Sequence, residues 1–232
     1  MASAKRVTRK ELLKGEDEFM TFSTKAVRFA QEHSRQLRIA GVALGVMIVL
    51  YLGVYAYLNY VESKGQAAYN EAYYALQESL SGKQDPDKLK HLEALFRKVT
   101  EQYDLAKASR LAYPELAHLK FQEKKYDEAL SLYREFLNET PQDSPYRPLA
   151  VLAMAGCHEE KGELDKAAEL LREIVSHPEG AFKDLAMLNL ARVYRLNRQG
   201  DRAKETWREF ASRFKESPFL PMVNAFLKED AP

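Results

Sequence analysis

Residues 155–178 read AGCHEEKGELDKAAELLREIVSHP, and the spacing inside this stretch decides the fold. Two small residues, Ala155 and Ala167, stand twelve apart with Gly162 between them. Leu171 and Ile174 follow the second alanine at plus four and plus seven, and Pro178 closes the stretch. The same arrangement recurs on either side. Ala117 and Ala129 are twelve apart and are followed by Tyr133, Phe136 and Pro141; Ala191 and Ala203 are twelve apart and are followed by Trp207, Phe210 and Pro218. Steps of four and seven put side chains on one helix face, and a pattern repeated at a near-constant separation marks a repeat architecture. Residues 61–232 are rich in Ala, Leu, Glu and Lys, punctuated by Gly and Pro, and free of β-branched runs, so they read as all-α. A plain helical bundle would not demand the recurring separations.

These spacings resemble the tetratricopeptide repeat. In that repeat, small residues at the eighth and twentieth positions let two antiparallel helices pack closely, an aromatic residue sits at the twenty-fourth, and a proline ends the unit. The resemblance assigns the close-packing role to Ala117, Ala129, Ala155, Ala167, Ala191 and Ala203, the turn to Gly162 and the aromatic eleventh position to Tyr194. Leu92, Phe96 and Val99 keep the plus-four and plus-seven spacing 37 residues before Ala129, so a degenerate first unit starts near Ala67 with a first helix over 66–80. The stretch SGKQDPDK is expected as its loop, and residues 219–227 as a capping helix over the last apolar face. The consensus tryptophan is replaced by Tyr113, Val151 and Met187, and Gly200 is displaced relative to Gly162. The expected fold is therefore all-α, an α-solenoid of about four helical hairpins plus a cap.

Ahead of the array, residues 39–58 read IAGVALGVMIVLYLGVYAYL, twenty residues without a charge. As a helix they span about 30 Å, the thickness of a bilayer core, and a buried core helix would keep a polar stripe that this run lacks. A cleaved signal peptide has a shorter leader and a shorter apolar core. The reading is a single N-terminal transmembrane helix. Gly41 and Gly45 form a small-xxx-small pair suited to close helix approach, which leaves homo-oligomerisation open. Lys25, Arg28, Arg35 and Arg38 precede the span and only Lys64 follows closely, so the N-terminus is expected in the cytoplasm. Phe19, Phe22, Ala26, Phe29 and Ala30 recur at steps of three and four, an amphipathic pattern for an interfacial helix; a disordered basic tail is the alternative.

The 232 residues carry 35 Lys plus Arg, 34 Asp plus Glu, five His and one Cys. The net charge of +1 argues against a nucleic-acid partner, and one Cys excludes an intrachain disulfide or a thiolate zinc site. His158 and Glu159 begin an HExxH, but Gly162 stands where the second imidazole is needed. Cys157 lies mid-helix as a core thiol, and no glycine-rich phosphate cradle occurs. The sequence thus predicts neither an enzyme nor a cofactor or metal. What such an array offers is a groove lined by first helices, shaped for an extended or helical polypeptide. Asn189, Arg192 and Arg195, three apart, make a cationic ridge that could meet a partner carboxylate, although a solvated face gives the same pattern. Tyr113, Phe121 and Tyr146 are candidate aromatic contacts.

The order of parts, a basic amphipathic leader, a glycine-bearing span, a linker reading SKGQAAYNEAYYAL and divergent repeats, resembles the ancillary SecYEG translocon subunit family. The resemblance implies a bacterial inner-membrane protein with residues 1–36 cytoplasmic, 37–60 in the bilayer and 61–232 in the periplasm. Its repeats would contact the translocon, periplasmic chaperones or emerging secreted chains. Two other classes stay open: an envelope scaffold for cell division or outer-membrane assembly, and, with inverted topology, a receptor like those of mitochondrial import, which the charge bias opposes.

Overall fold

The computed structural model describes residues 24–80, 86–177 and 180–229. Among them every regular element is a helix. The chain divides into two units, residues 1–57 and 58–232.

In the first unit, residues 24–32 form α1, and α2, which spans Ser34–Leu80, begins. His33 sits at their joint: its Nδ1 donates to the Phe29 carbonyl at 3.1 Å, and its ring stacks on the Phe29 ring at 4.3 Å. Ile39, Val42, Val49, Leu50 and Tyr51 are all more than half exposed. The leader positions Phe19 and Phe22 lie outside the described residues, whereas Ala26, Phe29 and Ala30 are helical.

In the second unit, α2 continues without interruption through Leu80. The linker expected at SKGQAAYNEAYYAL and the separate start of a helix at residue 66 are therefore corrected: the stretch is helical throughout. It holds no proline to break the helix, and its one glycine, Gly65, stands where a side chain has no room. Val61, Ala68 and Ala72 form the buried stripe of this part of α2. Helix α3 (Pro86–Gln102) opens on a proline, which suits a first turn whose N–H groups have no intrahelical acceptor. Asp87 and Lys88 of the expected loop are thus helical, and residues 81–85 lie outside the described residues.

The remaining helices are α4 (Lys107–Gln122), α5 (Tyr126–Glu139), α6 (Arg147–Glu160), α7 (Leu164–Ser176), α8 (Lys183–Leu196), α9 (Gly200–Arg213) and α10 (Leu220–Glu229). From α3 onward each packs chiefly on its chain neighbours, the contact pattern of a solenoid. Helices α4, α6 and α8 end in one recurring turn. Lys124, Gly162 and Arg198 have φ of 60°, 75° and 56°. The next residue's N–H reaches back five positions, from Lys125 to Lys120, Glu163 to His158 and Gln199 to Tyr194, at 2.8–2.9 Å. This closes the last turn as a left-handed cap does. Gly200 opens α9, and Arg198 holds the turn in its place.

The core is three linked clusters, each joining a hairpin to the next first helix. Ala68 and Ala72 of α2 meet Leu92, Phe96 and Val99 of α3 and Ala108, Ala112 and Leu116 of α4. Ala117 meets Ala129, Tyr133 and Phe136 of α5 and Met154 and Cys157 of α6. Ala155, Ala167, Leu171, Met187, Ala191, Ala203, Trp207 and Phe210 form the third, closed by Val223 of α10. The six repeated alanines are exposed by 3% or less. The cap is held by Phe226, whose ring stacks on Trp207 at 5.1 Å.

Candidate protein-binding surface

The first helices α4, α6 and α8 carry the side chains singled out for binding. On α8, Asn189 is half-buried and donates to the Leu185 carbonyl at 2.8 Å. Its Oδ1 accepts from Arg192 at 3.1 Å. Arg192 then spans to α6, where its two terminal nitrogens meet both oxygens of Glu159, one of them at 2.7 Å. This fork-to-fork pairing is the geometry in which guanidinium binds carboxylate best. The expected ridge thus already holds a carboxylate, one supplied by the preceding repeat. Arg195 lies over the rings of Trp207 and Phe226 at 5.6 and 5.1 Å, a cation on two aromatic faces.

Of the aromatic candidates, Tyr113 and Phe121 pack against the middle core cluster, and Phe121 meets Tyr126 edge-on at 5.4 Å. Tyr146 is 61% exposed. By element, Asn189, Arg192 and Arg195 group on α8, and the aromatics lie on or beside α4 and α6.

Sequence reasoning passed over Leu111 and Leu149, both exposed large apolar residues on first helices. They are 38 residues apart, the separation of Ala117 from Ala155, so the repeat register itself places them at equivalent positions. It passed over Glu115 as well. This half-buried carboxyl is raised by desolvation above its ordinary value, an effect that His118 only partly opposes.

The chemistry around α6 is structural. Cys157 is fully buried and its thiol is pushed up to about 11 by burial, which suppresses the thiolate a nucleophile requires. His158 Nδ1 donates to Glu163 Oε2 at 2.6 Å across the turn between α6 and α7. Among the described residues no cluster of three or more His, Cys, Asp or Glu could hold a metal ion. In the first unit, an added Cβ at Gly41 or Gly45 would meet no neighbour. There α2 holds the one stretch among the described residues long and apolar enough to cross a membrane, with a mean hydropathy of 2.3.

Tetratricopeptide repeat family models match residues 120–185 and 185–217. Two crystal structures of kinesin light chain TPR-like repeats from Podosopora anserina are similar in fold, with TM-scores of 0.52 and 0.51 at 17% identity. The matches cover 68% and 67% of this chain and 77% of each of those chains. No protein of curated function matches the sequence. At that identity the likeness is of fold alone. The described array is a tetratricopeptide-repeat-like α-solenoid, the architecture of protein-interaction adaptors, which are typically non-enzymatic.

Proposed function

We propose that this chain is a membrane-anchored adaptor of the bacterial inner membrane, with residues 1–36 cytoplasmic, 37–60 in the bilayer and 61–232 periplasmic. The single observation behind this reading is the exposed, uncharged run 39–58, whose apolar side chains need lipid to cover them. Basic residues before the span and few after it support the orientation. On the far side, the first helices hold an extended or helical segment of a protein, as an accessory of the Sec translocon or of periplasmic chaperone networks. The proposed contacts are Asn189, Arg192, Arg195, Tyr113, Phe121 and Tyr146, with Leu111 and Leu149 added. Arg192 would exchange Glu159 for a partner's carboxylate.

The test is cross-linking in intact membranes, mild solubilisation, capture of the chain and identification of its neighbours by mass spectrometry. Translocon subunits or exported chains enriched over an anchor-only control of residues 1–65 support the reading. Enrichment of division or outer-membrane assembly proteins without them replaces it with an envelope scaffold. An alkaline phosphatase fusion after Pro232 should be active in a bacterial host; an inactive one reverses the topology.

A further inference from the structure

The part of α2 within the second unit buries one stripe, Val61, Ala68 and Ala72. Directly opposite, at steps of three and four, stand Ser63, Gln66, Asn70, Tyr74 and Gln77, all exposed. None is charged, and neither are Ala67 and Tyr73 beside them. Charges return at the margins, with Glu62 on one side and Lys64, Glu71 and Glu78 on the other. The exposed faces of α3 and α5 are charged instead: α3 displays Lys88, Lys90, Arg97 and Glu101, and α5 displays Asp127, Glu128 and Glu135. Tyr74 is 68% exposed, and the Gln66 amide donates to Asn70 at 3.0 Å.

We propose that this face is a parallel seam between two copies of the chain, with Ser63, Gln66, Asn70, Tyr74 and Gln77 each meeting its own counterpart. In a parallel two-fold pair a residue on the axis faces itself. A carboxylate or an ammonium there meets its like and repels it. A carboxamide carries both donors and acceptors, so it complements an identical amide. A polar amide on such an axis also fixes register and parallel orientation. An uncharged, amide-bearing sector bordered by charges is therefore self-complementary. The seam rests on the anchored reading above, which makes two copies parallel. Residues 63–77 rise about 20 Å; one such helix pair buries less than the ~800 Å² per partner of a standard stable interface. Confinement of both copies to one membrane supplies the missing effective concentration.

The test uses the full chain in its membrane with single introduced cysteines and mild oxidation. Cys157 is buried and does not compete. Asn70→Cys is expected to give a disulfide-linked dimer, about tenfold more than Lys64→Cys, which lies off the seam. Adding Gln66→Glu to Asn70→Cys, which sets like charges against each other, should lower that yield about tenfold. Equal yields from positions 64 and 70, or a yield indifferent to Gln66→Glu, overturn the seam. Carbonate washing of the same membranes separates the two readings. Protein released by carbonate overturns the anchor and the seam together, whereas protein retained but not cross-linked at position 70 overturns the seam alone.

Discussion

The ammonium of Lys120, on α4, lies 2.7 Å from Glu93 Oε2 on α3 and is 97% removed from solvent. It also meets Glu123 at 3.1 Å and approaches Glu128 at 3.9 Å, so one buried cation ties α3, α4 and the start of α5 together. Burial alone would raise the Glu93 carboxyl; hydrogen bonds and charge from Lys120 and Arg97 outweigh it and hold it below its ordinary value. Lys120→Ala should cost about 2–3 kcal/mol, below the usual loss for breaking a buried pair because the carboxylates are partly hydrated. Lys120→Met keeps the aliphatic stem and should cost about 1 kcal/mol less. Urea unfolding followed by circular dichroism measures both, and identical losses would show that the stem contributes nothing.

At Gly65, α2 runs against the turn between α3 and α4. A Cβ added there would collide with the Cβ of Ala106 and lie 3.1 Å from that of Tyr103. Neither is the yielding end of a long side chain, so Gly65→Ala should push α2 off the array at about 2 kcal/mol. Thermal melts compare it with Ala67→Gly, an exposed change on the same helix that should cost under about 1 kcal/mol.

The three equivalent turns predict opposite signs for similar-looking substitutions. Lys124 and Arg198 are held at φ of 60° and 56°, where a Cβ is strained. Replacing either with glycine should raise stability by about 0.5–1 kcal/mol, whereas Gly162→Ala should lower it by about 1 kcal/mol. Space is not the issue, since a Cβ on Gly162 meets no neighbour. Melting temperatures of the three variants that move in one direction would refute this account.

Glu163 gives the array an acid-sensitive joint. Hydrogen bonds from His158 and Lys166, assisted by Lys161, hold its carboxyl at about 2 against an ordinary 4.5. A folded value below the unfolded one means the stabilisation is complete above about pH 4.5 and is lost as the pH falls towards about 2. Glu163→Gln should therefore flatten the loss of stability in that window, as read by chemical unfolding at successive pH values. A variant as acid-sensitive as the parent would show that the joint is not linked to folding.

Ala167 is fully buried against the third cluster. Ala167→Phe forces α6 and α7 apart and should cost about 3 kcal/mol or more; an unchanged melting curve would contradict close packing at this position.

What the sequence by itself determined is what depends on neighbours along the chain. Alanines twelve apart, followed by Tyr133 and Phe136, Leu171 and Ile174, or Trp207 and Phe210, declare helical hairpins in close contact, because helix periodicity is a property of consecutive residues. Residues 39–58 declare their need for an apolar environment in the same way, by length and lack of charge. Continuity of α2 was nearly legible as well, since no breaker follows Leu58 except Gly65; composition alone could not say that this glycine admits Ala106 rather than ending a helix. Only the tertiary structure decided which partners the polar side chains take. Arg192 reads as a free cation on its own helix, yet it is engaged by Glu159, 33 positions earlier. Tyr113 and Phe121 read as binding aromatics and are half-buried beside the middle core cluster, while Leu111 and Leu149 stay exposed. The reason is physical: periodicity sets which face a residue occupies, but what meets that face depends on how successive hairpins rotate against one another, and that rotation is settled by packing across the whole array.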